Sequence, residues 1–285
     1  MSKTVDILLL ADRDGKSLWP LTETIPPCLL PVAGKPLIIH ALESIGACVT
    51  ADVTVVVASG DEITPAALAG LGFPTLKISV TNLPRPFVDS SLLAVRGDIV
   101  PSTRTIEEMI MAIEEESALT SADEGVGAWR LAAGQPVPTW RETAILSDND
   151  DRILPGLAAY WRMAISAVAS DGMDLHPAGW LTADGMRVGM NARVLTRRAP
   201  GRGVSVGADA FIDRNVILGD CCVIGDRAWI ARGARISRSV VMPDTYVGAG
   251  VVLDQAIACG NWLCHIETGE VTRIADQTII ARLAA

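Results

Sequence analysis

The sequence predicts two folds in series, an α/β domain over residues 1–180 and a β domain of stacked six-residue coils over residues 181–285. Two observations carry this prediction. Apolar strands alternate with helical patterns in the first half, and apolar residues recur at a fixed six-residue period in the last third.

Val5-Asp6-Ile7-Leu8-Leu9-Leu10-Ala11 reads as a buried strand, and Val53 to Ala58 and Ser91 to Val95 read as two more. Lys35 to Ile45 reads as a helix, because Pro36 suits a first helical turn and Gly46 suits the residue beyond the end. Thr105-Ile106-Glu107-Glu108 has the form of a capping box opening another helix, with Ile106, Met109, Ile110 and Ile113 on one face. A further amphipathic helix covers Leu157 to Ala169 and leads into the repeat. Strand, helix and strand in alternation imply a mostly parallel sheet with helices packed on it.

The repeat runs through Val206, Ile212, Leu218, Ile224, Ile230 and Ile236, slips by one residue, and resumes at Val241, Val247, Leu253 and Cys259. The residue after each of these is often glycine, as at Gly207, Gly219, Gly225, Gly248 and Gly260. Four residues on, the side chain is small or apolar, as at Ala210, Val216, Cys222, Ala228, Ala234, Val240 and Val251. Two inward positions in six describe one flat face, and three faces close a turn of about 18 residues whose stacking buries a continuous core. The pattern resembles the hexapeptide repeats of left-handed parallel β-helices. Asp209, Asp220, Asp226, Arg227 and Arg232 fall at outward corners, as solvated charge. Met186 to Val194 reads as an earlier coil, interrupted by a polar loop from Arg197 to Gly203, and Gln277 to Leu283 reads as a cap on the last coil.

Acidic residues outnumber basic ones by 33 to 24, a net charge of -9, which argues against nucleic acid and anionic membrane surfaces as partners. Runs such as Ile7 to Ala11 are far shorter than the roughly 20 residues a membrane-spanning helix needs. The N-terminus has no signal-peptide pattern, so a cytoplasmic location is expected. Six cysteines without Cys-x-x-Cys pairs, and three histidines far apart (His40, His176 and His265), argue against a zinc site or a disulfide scaffold.

Leu18-Trp19-Pro20-Leu21-Thr22, then Pro26, then Leu29 to Ile38 resembles the opening of sugar-1-phosphate nucleotidyltransferases. Arg96-Gly97-Asp98 matches that family's Gly-Asp, and Val240 to Asn261 resembles the β-helix of its mannose-1-phosphate guanylyltransferase-like branch. The resemblance covers about residues 5 to 46, 91 to 116 and 155 to 275. It implies a Rossmann-like nucleotidyltransferase domain followed by a C-terminal left-handed β-helix, and attack of a sugar phosphate on the α-phosphorus of a nucleoside triphosphate. It makes Asp98 the Mg2+ ligand and a catalytic position. Arg13 and Lys16 become candidate phosphate-stabilising cations, and Ala11, Gly15 and Lys35 substrate contacts.

The chain departs from that family where phosphate chemistry needs positive charge. The family's Gly-x-Gly-Thr-Arg turn is here Arg13-Asp14-Gly15-Lys16-Ser17, its Pro-Lys is Pro26-Pro27, and Asp12 and Asp14 add negative charge. Lys77 to Ser90 carries no Gly-rich nucleotide loop, and Asp148, Asp150 and Asp151 are candidates for the second metal carboxylate by position alone. The expectation is a degenerate homologue, weak or inactive, with a regulatory or scaffolding role in sugar-nucleotide or surface-polysaccharide metabolism. The alternative is an active nucleotidyltransferase in which Arg13, Lys16 and Lys35 replace the missing cations. An acyltransferase on the coils would need a histidine base, for which His265 is the candidate. A homo-oligomer or hetero-oligomer through the coils is expected, with Trp229 and Trp262 as contact markers.

Overall fold

The structure, a computed structural model, describes residues 5–82, 92–99, 106–107, 128–131, 154–169, 175, 178–197 and 200–283. Its contacts divide the chain into two units, Met1–Leu30 with Pro36–Pro155, and Pro31–Lys35 with Gly156–Ala285.

The first unit is built on a Rossmann-like sheet of strands β1 (Val5–Ala11), β2 (Ala51–Val57), β3 (Leu76–Thr81), β4 (Leu92–Arg96) and β5 (Ala128–Leu131) in the order β3-β2-β1-β4-β5. The first four are parallel, and β5 is an antiparallel edge. Both faces of the sheet are buried. Ile7, Leu9, Val53, Val55 and Val95 pack on helix α1 (Leu37–Cys48), while Leu8, Leu10, Val56, Leu92 and Ala94 form a separate cluster. That explains why β1 reads as a continuous apolar run rather than an alternating one.

Helix α1 extends past Gly46 to Cys48, so Gly46 does not end it. The glycine sits against a neighbouring loop, where a Cβ would lie 3.0 Å from the Thr75 hydroxyl that donates to the Gly46 carbonyl, so a larger residue would crowd that bond. The helix starts at Leu37 because Pro36 stays extended, with ψ 142°. Elements absent from the sequence expectation include helix α2 (Ile63–Leu68) and strands β3 and β5. Asp61 caps α2 by accepting from the Ile63 and Thr64 amides at 2.9 and 3.0 Å. The capping box at 105–108 and the helix following it lie largely outside the described residues.

The second unit is sheet-rich and includes helix α3 (Leu157–Val168), whose Tyr160 and Met163 are fully buried. Its short strands distribute in rotation among three ladders. Arg193–Val194, Phe211–Ile212, Trp229–Ile230 and Thr245–Val247 form one, and Ile217–Leu218, Arg235–Ser237 and Val252–Asp254 another. Arg187–Val188, Val204–Val206, Cys222–Ile224, Ser239–Val241 and Ala256–Cys259 form the third. All these neighbours are parallel. The repeat positions Val206, Ile212, Leu218, Ile224, Ile230, Ile236, Val241, Val247 and Leu253 belong to one apolar core.

The slip in the repeat has a physical counterpart. Left-handed corner residues recur at Asp209, Asn215, Cys221, Arg227 and Gly233, then at Arg238, Asp244, Gly250 and Gln255. The steps from Gly233 to Arg238 and from Gly250 to Gln255 are one residue short, so the sequence expectation of one slip missed the second. As a result Ala258, not Cys259, enters the core opposite Val241. The first short step also turns Val240 away from that core and carries the polar Ser239 and Thr245 into fully buried positions. Both hydroxyls are satisfied. Ser239 donates to the Ser237 carbonyl at 2.7 Å and accepts from the Ala256 amide at 3.1 Å. Thr245 donates to the Pro243 carbonyl and accepts from the Gly260 amide at 2.9 Å.

The corner carboxylates are not all simply solvated. Asp220 and Asp226 each accept at 2.8 Å from an amide eighteen residues earlier, on Arg202 and Ala208. At the far end, Ile280–Arg282 pairs antiparallel with Thr245–Val247 and closes that ladder edge. Among the described residues, no helix is long and apolar enough to cross a membrane.

Candidate functional site

Strands β1 and β4 lie side by side, with Leu10 opposite Arg96 and the Gly97 amide donating to the Leu10 carbonyl at 2.7 Å. Their carboxyl ends are where a parallel sheet of this order opens a crevice for ligands. Four charged residues follow from the two ends, Asp12 and Arg13 after β1, and Arg96 and Asp98 at the end of β4.

Asp98 is 2% exposed, and both its carboxylate oxygens are engaged. Arg96 Nε donates to Oδ1 at 2.8 Å and a terminal Arg96 nitrogen to Oδ2 at 2.7 Å, a two-pronged pair between side chains two residues apart. Arg13 adds a third bond to Oδ2 at 2.7 Å. The Arg13 guanidinium also donates to the Ser17 hydroxyl at 2.7 Å and the Leu154 carbonyl at 2.6 Å. Burial alone would raise the Asp98 carboxyl strongly, but the charge and hydrogen bonds of Arg96, then those of Arg13, outweigh it. The group stays ionised, below the usual carboxylate range. Asp12 moves the other way, raised by burial and by the charge of Asp98 against a backbone hydrogen bond and Arg96.

This arrangement does not fit a magnesium ion. A hard cation would need free carboxylate oxygens and further oxygen donors. Here it would meet two guanidiniums already seated on those oxygens, each repelling it. Among the described residues, no group of three His, Cys, Asp or Glu side chains converges on one point.

The other sequence candidates fall in different surroundings. Lys16 lies in a short 3-10 turn, its side chain 83% exposed and 3.6 Å from Asp14. Gly15 packs on Thr22, since a Cβ would lie 2.5 Å from that side chain, and the Thr22 hydroxyl donates to the Gly15 carbonyl at 2.6 Å. Its missing side chain therefore makes room inside the protein. Ala11 ends β1, buried, while Lys35 belongs to the second unit. His40 is a buried residue of α1. Asp148, Asp150, Asp151 and His176 lie outside the described residues. In the second unit, Trp229 is 46% exposed and stands in a row with Phe211 and Tyr246, ring centroids 5.3 and 6.2 Å apart. Trp262 lies under the Arg273 guanidinium at 5.7 Å, and His265 is exposed at the other end of the same strand, Trp262–His265.

Arg96 is the functional side chain that the sequence reading missed, having treated it as part of a motif rather than as a partner. A signal existed. A charged residue ending the buried run Leu92–Arg96 must be neutralised, and a residue two positions on is close enough to do it.

No family model and no curated protein matches the chain. Among solved structures, it is similar to a protein described as a glucose-1-phosphate thymidylyltransferase from Bacillus anthracis, in complex with a sucrose. The identity is 18% and the TM-score 0.34, over 40% of this chain and 52% of that one. It is also similar to a UDP-glucose pyrophosphorylase complexed with UDP-glucose, at 14% identity and TM-score 0.33, over 40% of this chain and 55% of that one. The chain thus spans about half the length of each.

Proposed function

We propose that the chain is a degenerate sugar-1-phosphate nucleotidyltransferase-like protein, weak or inactive in catalysis, serving a regulatory or scaffolding role in sugar-nucleotide or surface-polysaccharide metabolism. The observation that carries this is the Arg13–Asp98–Arg96 cluster. The carboxylate that the sequence resemblance would give to a metal is used within the protein. Arg13, the nearest replacement for the missing phosphate-facing arginine, is spent on the same contact and on Ser17, which stands in that arginine's place.

In this proposal the three parallel ladders are the faces of a left-handed β-helix, and the exposed Trp229, in a row with the half-buried Phe211 and Tyr246, marks the contact with another subunit. The test is pyrophosphate release by the purified protein with Mg2+, across the common nucleoside triphosphates and sugar 1-phosphates, beside Asp98→Ala. Absence of turnover from folded protein is the expected result. Turnover that Asp98→Ala abolishes would establish the active alternative and make Lys16 and Lys35 the next targets.

A further inference from the structure

The second unit contains a cavity of about 430 Å3, within the range of small-molecule pockets. All of its lining residues belong to that unit. Its floor is the outer side of one parallel ladder, where Ser205, Val223 and Val240 stand on successive rungs in register. Val204 and Val206 point into the coil core, so strand alternation turns Ser205 toward the cavity. Tyr160 of α3 forms part of the wall, its hydroxyl already donating to the Pro31 carbonyl at 2.7 Å. Trp180 stands among the lining residues 67% exposed.

Two polar features break this apolar lining. Ser205 is 7% exposed, yet its hydroxyl has no hydrogen-bond partner among the described residues. The Ser205 oxygen is not one of the side-chain atoms shut off from solvent without a partner, so water in the cavity can bond it and the polar end of a ligand would take that water's place. Asp226 is the charged side chain of the described lining. Its Oδ1 accepts from the Ala208 amide at 2.8 Å, while no hydrogen bond occupies Oδ2. No Lys, Arg or His is among the described lining residues. Arg187 continues the row beyond Ser205 but does not line the cavity.

We infer that this cavity is a binding site for a small apolar-bodied amine, its flat or aliphatic part on Val223, Val240 and Trp180 and its polar end between Ser205 and Asp226. A phosphate or carboxylate ligand is disfavoured there, because it would meet a carboxylate with no cation in the lining. The proposal does not depend on the fate of the site at Asp98.

Tryptamine, indole and indole-3-acetate share one ring body and differ in charge, so titrating each against the full chain by calorimetry tests the inference. Tryptamine is expected to bind about tenfold more tightly than indole-3-acetate, the equivalent of one favourable charge contact. Asp226→Asn keeps the acceptor for Ala208 and should erase that preference. Ser205→Leu fills the floor from outside the coil core and should abolish binding of all three, with its thermal unfolding compared with the wild type. Trp180→Ala, at an exposed position, should weaken tryptamine even if Ser205→Leu fails to fold. No binding by any probe, equal binding of amine and acid, or tryptamine binding unchanged in Trp180→Ala would overturn the inference.

Discussion

Each unit buries polar groups, and the contrast between them is instructive. In the second unit Ser239 and Thr245 are neutral and bond to backbone groups of their own and the following coil, a consequence of the shortened repeat. In the first unit Asp98, Arg96 and Arg13 are ionised, and the Arg13–Asp98 contact joins residues 85 positions apart. A hydroxyl costs little to bury once bonded, whereas a charge costs several kcal/mol unless its partners are in place. The first arrangement is a local by-product of register. The second exists only when β1 and β4 are correctly docked.

The largest effect should come from breaking the charged cluster. Arg96→Met removes the two-pronged partner and leaves Asp98 with Arg13 alone, which should destabilise the first unit by about 3–5 kcal/mol. Urea unfolding, localised by hydrogen exchange of the β1 amides, measures it. The same cluster sets an acid limit. Because the Asp98 carboxyl is held below its unfolded value near 3.9, its contribution is present above about pH 4 and is lost as pH falls through the lower folded value. Asp98→Asn should flatten that acid limb in stability-against-pH curves.

Smaller effects are expected in the coils. Ser239→Ala strands the Ala256 amide in a buried position and should cost about 1–3 kcal/mol in chemical denaturation. A loss as large as that of Arg96→Met would erase the contrast between the units. The smallest effect should be at the exposed corner pair Arg227–Asp244, 2.6 Å apart. Arg227→Ala should change stability by less than about 1 kcal/mol, and less still in high salt.

The legibility of the sequence follows the same division. The coil core was readable because a stacked repeat forces Ile212, Ile224 and Ile230 inward at a fixed period. The second shortening was not, because Ala258 and Cys259 are both small and either could fill the position. In the first unit β1 and β4 were legible as apolar runs, and α1 from Pro36 before it and Gly46 near its end. Strand β3 was missed because it pairs along one side alone and leaves most of its side chains at least partly exposed. Asp98 was singled out as a functional carboxylate, but no local pattern tells a metal ligand from an ion-pair partner. That depends on Arg13, which sequence distance hides, and on Arg96, whose orientation only the folded sheet sets.

The central claim is that Asp98 is an internal ion-pair partner and not a metal ligand. Unfolding of wild type and Asp98→Ala, each in EDTA and in excess Mg2+, tests it most directly. The account predicts that the variant loses about 3–5 kcal/mol equally in both conditions and that Mg2+ leaves the wild type unchanged. A variant as stable as wild type in EDTA, with a wild type that Mg2+ stabilises, would contradict it.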